Sequence, residues 1–163
     1  MPYNGAVGGG QLQWLEEELA GAEQQGERVV ILSHVGLAPR SQNESCLIWN
    51  YEKVLSVCHA SPSLCLVLAG HAHRGGYVED EHGVHHVTVQ SPLECEETET
   101  AFATAHVYSD RIELEGEGRV PTRVLPLRSI KLPAVTKGPD TEGESERGLE
   151  KLTLSDSDKL NRP

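Results

Sequence analysis

Leucines at 12, 15 and 19 recur at helical spacing through residues 11–25, with Glu16, Glu17 and Glu18 between them. This spacing predicts an amphipathic helix that stops near Gly26. A β-branched run at 28–33 (RVVILS) predicts a short buried strand. Residues 35–45, which include Gly36 and Pro39, predict a loop. A second helix is predicted over 47–59, where Ile48, Tyr51, Val54 and Leu55 are spaced to face a core, and Pro62 marks a turn beyond it. Residues 64–69 (LCLVLA) predict a second buried strand, and glycine-containing segments follow at 70–76 and 79–83. The period then changes. Strands are predicted at 84–89, 101–108 and 111–115, with Ser109-Asp110 set for a tight hairpin.

The order is helix, strand, helix, strand, then a run of antiparallel strands. It predicts an α/β fold that forms half of a layered sandwich, because two helix-connected strands make a poor parallel sheet by themselves. Such a sheet is expected to expose an edge and an apolar face, which favours aggregation of the isolated chain. From about residue 129 the composition changes to Lys, Pro, Gly, Glu, Ser and Asp. The expected organisation is a partial domain over 1–128 and a disordered acidic tail over 129–163.

Charge and composition narrow the function classes. The net charge of -11 disfavours docking on nucleic acid or an anionic membrane through a basic patch. It leaves phosphate binding open where a metal ion supplies the positive charge. There is no long apolar run and no secretory h-region. Cys46, Cys58, Cys65 and Cys95 show no C-x-x-C spacing, so reduced thiols and a cytoplasmic location are expected.

The candidate chemistry sits at two strand ends. The first predicted strand runs into His34, and the second runs into Gly70-His71-Ala72-His73. Ligands of open α/β sheets gather beyond the carboxyl ends of strands, so three imidazoles are directed to one place. In extended backbone, residues two apart point to the same side with Cα atoms about 6.5 Å apart. His71 and His73 can then each take one ion of a pair about 3.5–4 Å apart. Gly70 is expected to let the backbone leave the strand without a Cβ clash. Taken singly, His34 also reads as a polar loop residue. The other histidines read as ordinary: His82, His85 and His86 as surface imidazoles, His59 as a cation at a helix end, and His106 as a structural strand residue.

Ser33-His34 and Gly70-His71-Ala72-His73 resemble the last two metal motifs of the calcineurin-like metallophosphoesterases. The segments QLQWL (11–15), CLIWNY (46–51), GHAHRGGY (70–77) and GEGRVPTR (116–123) resemble one branch of that superfamily, the manganese-dependent ADP-ribose/CDP-alcohol diphosphatases. The resemblance covers residues 5–128. It implies the C-terminal half of a four-layer α/β/β/α sandwich. It also implies a site with two divalent ions, Mn2+ by family and Zn2+, Fe or Mg2+ by imidazole chemistry. His34 and His71 would hold one ion and His73 the other. The implied reaction is metal-assisted hydrolysis at the pyrophosphate of ADP-ribose, CDP-choline, CDP-ethanolamine or CDP-glycerol, by a protein that is monomeric when complete.

The family's D-x-H/Q, G-D-x-x-D and G-N-H/D motifs are missing from this sequence, so no catalytic residue is assigned and little activity is expected of the chain alone. On the substrate side, Arg40 and Arg74 read as phosphate contacts or solvated charges. Trp49 and Tyr51 read as walls of a nucleotide pocket or as core. The alternatives are a truncated, non-catalytic product that binds metal or a partner, and another calcineurin-like phosphodiesterase or phosphatase.

Overall fold

The computed structural model describes residues 3–130. The greater part of the predicted tail lies outside the described residues. The first helix, α1, spans Gly9–Gln25 and buries Leu12, Leu19 and Ala22. Gly26 ends it in the left-handed conformation, where its N–H reaches the carbonyls of Ala22 and Glu23. β1 (Val29–Ser33) follows, then a single 3-10 turn at Glu44–Cys46, then α2 (Tyr51–His59). The second helix is shorter than its apolar spacing predicts. Leu47 and Ile48 are buried all the same, but from irregular chain tied by the Ile48 N–H to the Gly36 carbonyl at 3.2 Å.

β2 (Leu64–Ala69) is the buried centre of the first sheet, whose order is β1-β2-β4-β3. β4 (His85–Thr88) pairs parallel with β2, and β3 (Gly76–Glu79) pairs antiparallel with β4. The expected run of purely antiparallel strands therefore begins one strand later than the sequence pattern indicates, and β3 lies between the two glycine-rich segments. A register irregularity makes Leu64 and Leu66 the partners of Val29 and Val30 and leaves Cys65 as an extra residue. In consequence Cys65 and Leu66 both face the second sheet, while Leu64 and Val67 face the helices.

The second sheet has the order β5-β6-β7, from Ala101–Val107, Arg111–Gly118 and Arg123–Pro126. The predicted hairpin is present, closed by the Tyr108 N–H on the Arg111 carbonyl at 2.9 Å. β7 was not legible from period: its four residues carry a proline and a single fully buried side chain, Leu125.

Two apolar clusters define three layers. One joins α1 and α2 to the first sheet through Leu19, Val54, Cys58, Leu64 and Val67. The other fills the space between the sheets with Leu66, Val87, Ile112, Leu114 and Leu125. β1 is an edge strand rather than a fully buried one. Its side chains alternate, and Leu32 is 73% exposed, so the bare edge expected from sequence is present. All four cysteines are free, with Cys58 and Cys65 buried.

Two histidines depart from expectation. His85 is 0% exposed and His86 2%. They alternate along β4 and so face opposite sides of the sheet. His85 points to the second sheet, where its Nε2–H donates to the Pro126 carbonyl at 2.8 Å and its Nδ1 accepts from the Tyr77 hydroxyl at 3.1 Å. His86 points to the helices and meets Asp80. A turn followed by a strand looked solvent-facing in sequence, but β4 lies between β2 and β3.

Candidate metal centre

The parallel pairing of β1 and β2 brings Ser33 opposite Ala69, so the segments leaving both strands emerge side by side. The Gly70 N–H donates to the His34 carbonyl at 3.0 Å and holds the two exits together. His34 and His71 then meet edge to face, with ring centroids 5.2 Å apart. His73 joins them in lining a cleft of about 520 Å³ between the two sheets. Three residues predicted from strand-end spacing thus share one cavity.

His71 is held in an unusual way. It adopts φ +61, a left-handed conformation that is uncommon for a residue with a Cβ. Strain of this kind persists where the surroundings over-determine the backbone. Gly70 does not serve the purpose expected of it. A Cβ there would find its nearest atoms, the His34 carbonyl oxygen and Nδ1, at 3.8 and 4.0 Å, which is ordinary contact. The close approach occurs at Gly76, where a Cβ would lie 2.2 Å from the Ser41 carbonyl oxygen. Gly76→Ala is therefore expected to destabilise by at least ~2 kcal/mol, because backbone must move on one side or the other. Thermal denaturation of the variant checks this.

Electrostatics suit neutral ligands. Burial, then the neighbouring His34 and His73, hold the His71 imidazole below its ordinary pKa. A cation needs the unprotonated ring, so this depression of His71 favours the state that binds metal. The His71 Nε2 lies 3.0 Å from Asn4 Oδ1, and the His73 Nδ1 lies 2.9 Å from Glu94 Oε1. Each ring thereby keeps one nitrogen uncommitted by these contacts. Imidazole donors of this kind fit a divalent cation, and His34, His71 and His73 are the residues that could hold one.

A second group is close enough in space to be considered. Ligand atoms of His59, Asp80 and His86 lie within 4.8 Å of one another. Both carboxylate oxygens of Asp80 are engaged without an ion. Asp80 Oδ2 accepts from the Nε2–H of both His59 and His86 at 2.9 Å, and Oδ1 accepts from the N–H of His82 and Val84 at 2.9 Å. An ion on His86 Nε2 would force the proton onto Nδ1, which is buried without a partner. The cluster is a clamp between the end of α2 and the β3–β4 turn. His59 is thus fixed by a carboxylate rather than by the helix dipole, and its ring stacks on that of His82 with centroids 3.8 Å apart.

The remaining sequence candidates are dispersed. Arg40, at φ +68, and Arg74 are exposed, and neither lines the cleft. Trp49 is 61% exposed, and Tyr51 opens α2; both are likewise outside the cleft lining. His106 pairs with Glu115 across the exposed hairpin at 3.1 Å. Two partners of the cleft histidines carried no sequence signal, namely Asn4 on His71 and Glu94 on His73. Arg123 lines the cleft and stacks over Tyr77 at 4.7 Å from the ring centroid. Asn4 and Glu94 are far in sequence from His71 and His73, so no local spacing announces them.

Comparison with known proteins bears on family and fold. No protein-family model matches the chain. The chain is 41% identical over 126 residues to a manganese-dependent ADP-ribose/CDP-alcohol diphosphatase from Bos taurus, covering 77% of this chain and 37% of that protein. It is 41% identical over 123 residues to the Homo sapiens protein of that name, covering 76% and 36%. The Arabidopsis thaliana protein of that name is 38% identical over 118 residues, covering 72% and 38%. A crystal structure of a dimetal phosphatase from Danio rerio superposes with a TM-score of 0.73 at 38% identity, covering 74% of this chain and 38% of that one. The GAP50 anchor of the Plasmodium inner membrane complex shares the fold, with a TM-score of 0.57 at 12% identity. The resemblance drawn from the histidine, W-N-Y and G-G-Y segments is borne out, as is the α/β class of a dimetal phosphatase. The chain spans somewhat over a third of the length of the curated relatives it matches. Among the described residues, no helix is long and apolar enough to cross a membrane.

Proposed function

We propose that this chain supplies the histidine half of the two-ion site of a manganese-dependent hydrolase that cleaves the pyrophosphate of ADP-ribose and CDP-alcohols. The observation that carries the reading is the convergence of His34, His71 and His73 on one cleft, in a chain similar to proteins of that name. His34 and His71 hold one ion and His73 the other. When bound, the ions supply Lewis-acid neutralisation of charge on the phosphoryl oxygens.

The chain's own residues do the rest of what is assigned here. His71 and His73 present ring nitrogens fixed from behind by Asn4 and Glu94. Arg123, in the cleft lining, is the guanidinium group we assign to phosphate oxygens. Phe102, Ala103 and Leu114 give one side of the cleft an apolar lining.

One observation favours a second reading for the 163 residues alone. Among the described residues, no Asp or Glu lines the cleft. Two divalent ions need carboxylates to offset their charge and fix their spacing. The chain by itself is then a metal-binding module without turnover, and hydrolysis requires the D-x-H/Q, G-D-x-x-D and G-N-H/D ligands in the same active site.

The test is an assay with Mn2+ against ADP-ribose, CDP-choline and a phosphoprotein, on this chain and on a polypeptide that joins it to those motifs. The expected result is pyrophosphate cleavage by the joined polypeptide, lost on His71→Ala, with none from this chain. Cleavage of the phosphoprotein alone would assign the site to a different phosphoesterase.

A further inference from the structure

We infer that Asn4 is a positioning residue that sets the tautomer of His71 and so determines that this ring meets a cation through Nδ1. The inference deepens the metal-site assignment above and rests on it.

Asn4 is 6% exposed. Its Nδ2 donates to the carbonyls of Ser45 and Leu47, each at 2.7 Å. A carbonyl oxygen accepts only, so the NH2 side of the amide must face these two groups and the Oδ1 side must face away. The orientation is therefore dictated by its partners and not by an arbitrary choice of rotamer. Oδ1 is left 3.0 Å from the His71 Nε2. It too can only accept, so Nε2 carries the proton. In a neutral imidazole the lone pair then belongs to Nδ1. A histidine that binds metal uses the nitrogen opposite the one its outer partner holds.

The position of Asn4 is itself secured. The Trp49 N–H donates to the Gly5 carbonyl at 3.0 Å. The Val7 N–H donates to Asn50 Oδ1 at 3.0 Å, and Asn50 Nδ2 donates back to the Val7 carbonyl at 2.9 Å. Residues 4–7 are thus zipped to residues 45–50, and Asn4 reaches from that zipper to His71, 67 positions away. His73 shows the opposite choice, with Nδ1 held by Glu94, but that pair is exposed and its hold on the ring is weaker.

Nitrogen-15 NMR of the metal-free chain above neutral pH reads the tautomer directly, and titration with Zn2+ alone reads affinity. In the parent chain, His71 should show a protonated Nε2 and a bare Nδ1. Asn4→Ala should give mixed tautomers and a Zn2+ Kd raised about 10- to 100-fold. Asn4→Asp keeps an acceptor towards His71 while losing both amide donors, so it should retain the Nε2–H tautomer. Asn50→Ala loosens the same zipper without touching His71 and should leave tautomer and affinity within about twofold. A protonated Nδ1 in the parent chain would overturn the inference. So would Asn4→Ala spectra that match the parent, or Asn4→Asp and Asn50→Ala losses equal to that of Asn4→Ala, which would mean a purely structural role. If instead His71→Ala binds Zn2+ as tightly as the parent, the ligand assignment fails, and the tautomer spectra still decide whether Asn4 sets the ring.

Discussion

His71→Ala is expected to weaken Zn2+ binding by about 100-fold or more. A structural site of four ligands binds Zn2+ with roughly 10–16 kcal/mol, so one ligand accounts for on the order of 3 kcal/mol. His71 should matter most of the three histidines, because it is the one that is half-buried, backbone-strained and held by a buried partner. His34→Ala and His73→Ala remove exposed rings and should show smaller losses. Isothermal titration of each variant gives the ranking. Equal, negligible losses for all three would place the cation elsewhere.

Asp80→Ala is expected to cost about 3 kcal/mol of stability, seen as a fall in Tm of about 10 °C. The carboxylate accepts four hydrogen bonds, from two backbone N–H groups and two imidazoles. Removing it unties the β3–β4 turn from the end of α2 and leaves His86 with neither ring nitrogen bonded. Burial pushes the Asp80 carboxyl up, and the hydrogen bonds from Val84, His86 and His59 outweigh burial, so it sits below the ordinary carboxylate range. Burial likewise holds His86 below its ordinary pKa against the pull of Asp80. Both groups are depressed on folding. Each therefore stabilises at pH above its unfolded value and loses that contribution as pH falls through its folded value. The parent chain should weaken first below about pH 6.5 and again below about pH 4. Asp80→Ala should lack the second loss. A variant whose Tm and acid profile match the parent would show that the clamp carries no stability.

What was legible in the sequence follows from locality. Leu12, Leu15 and Leu19 report α1 because helix packing repeats within the segment itself. The convergence of His34, His71 and His73 on one cleft was legible because strand ends carry short, local signatures that the parallel pairing of β1 and β2 later brings together. β3 and β7 were not, since each is four residues long and takes its character from a neighbouring strand. The burial of His85 and His86 depends on β4 lying between β2 and β3, which no single segment encodes. Asn4 acts on a histidine 67 positions away through carbonyls of a third segment, so its role appears only when the chain is folded.

Paramagnetic Mn2+ tests the central claim most directly, because it broadens the NMR signals of the groups nearest to it. Substoichiometric Mn2+ added to the labelled chain should erase the imidazole signals of His34, His71 and His73 first and leave those of His59 and His86 sharp. Broadening that begins at His59 and His86, or that touches no histidine, would contradict the account.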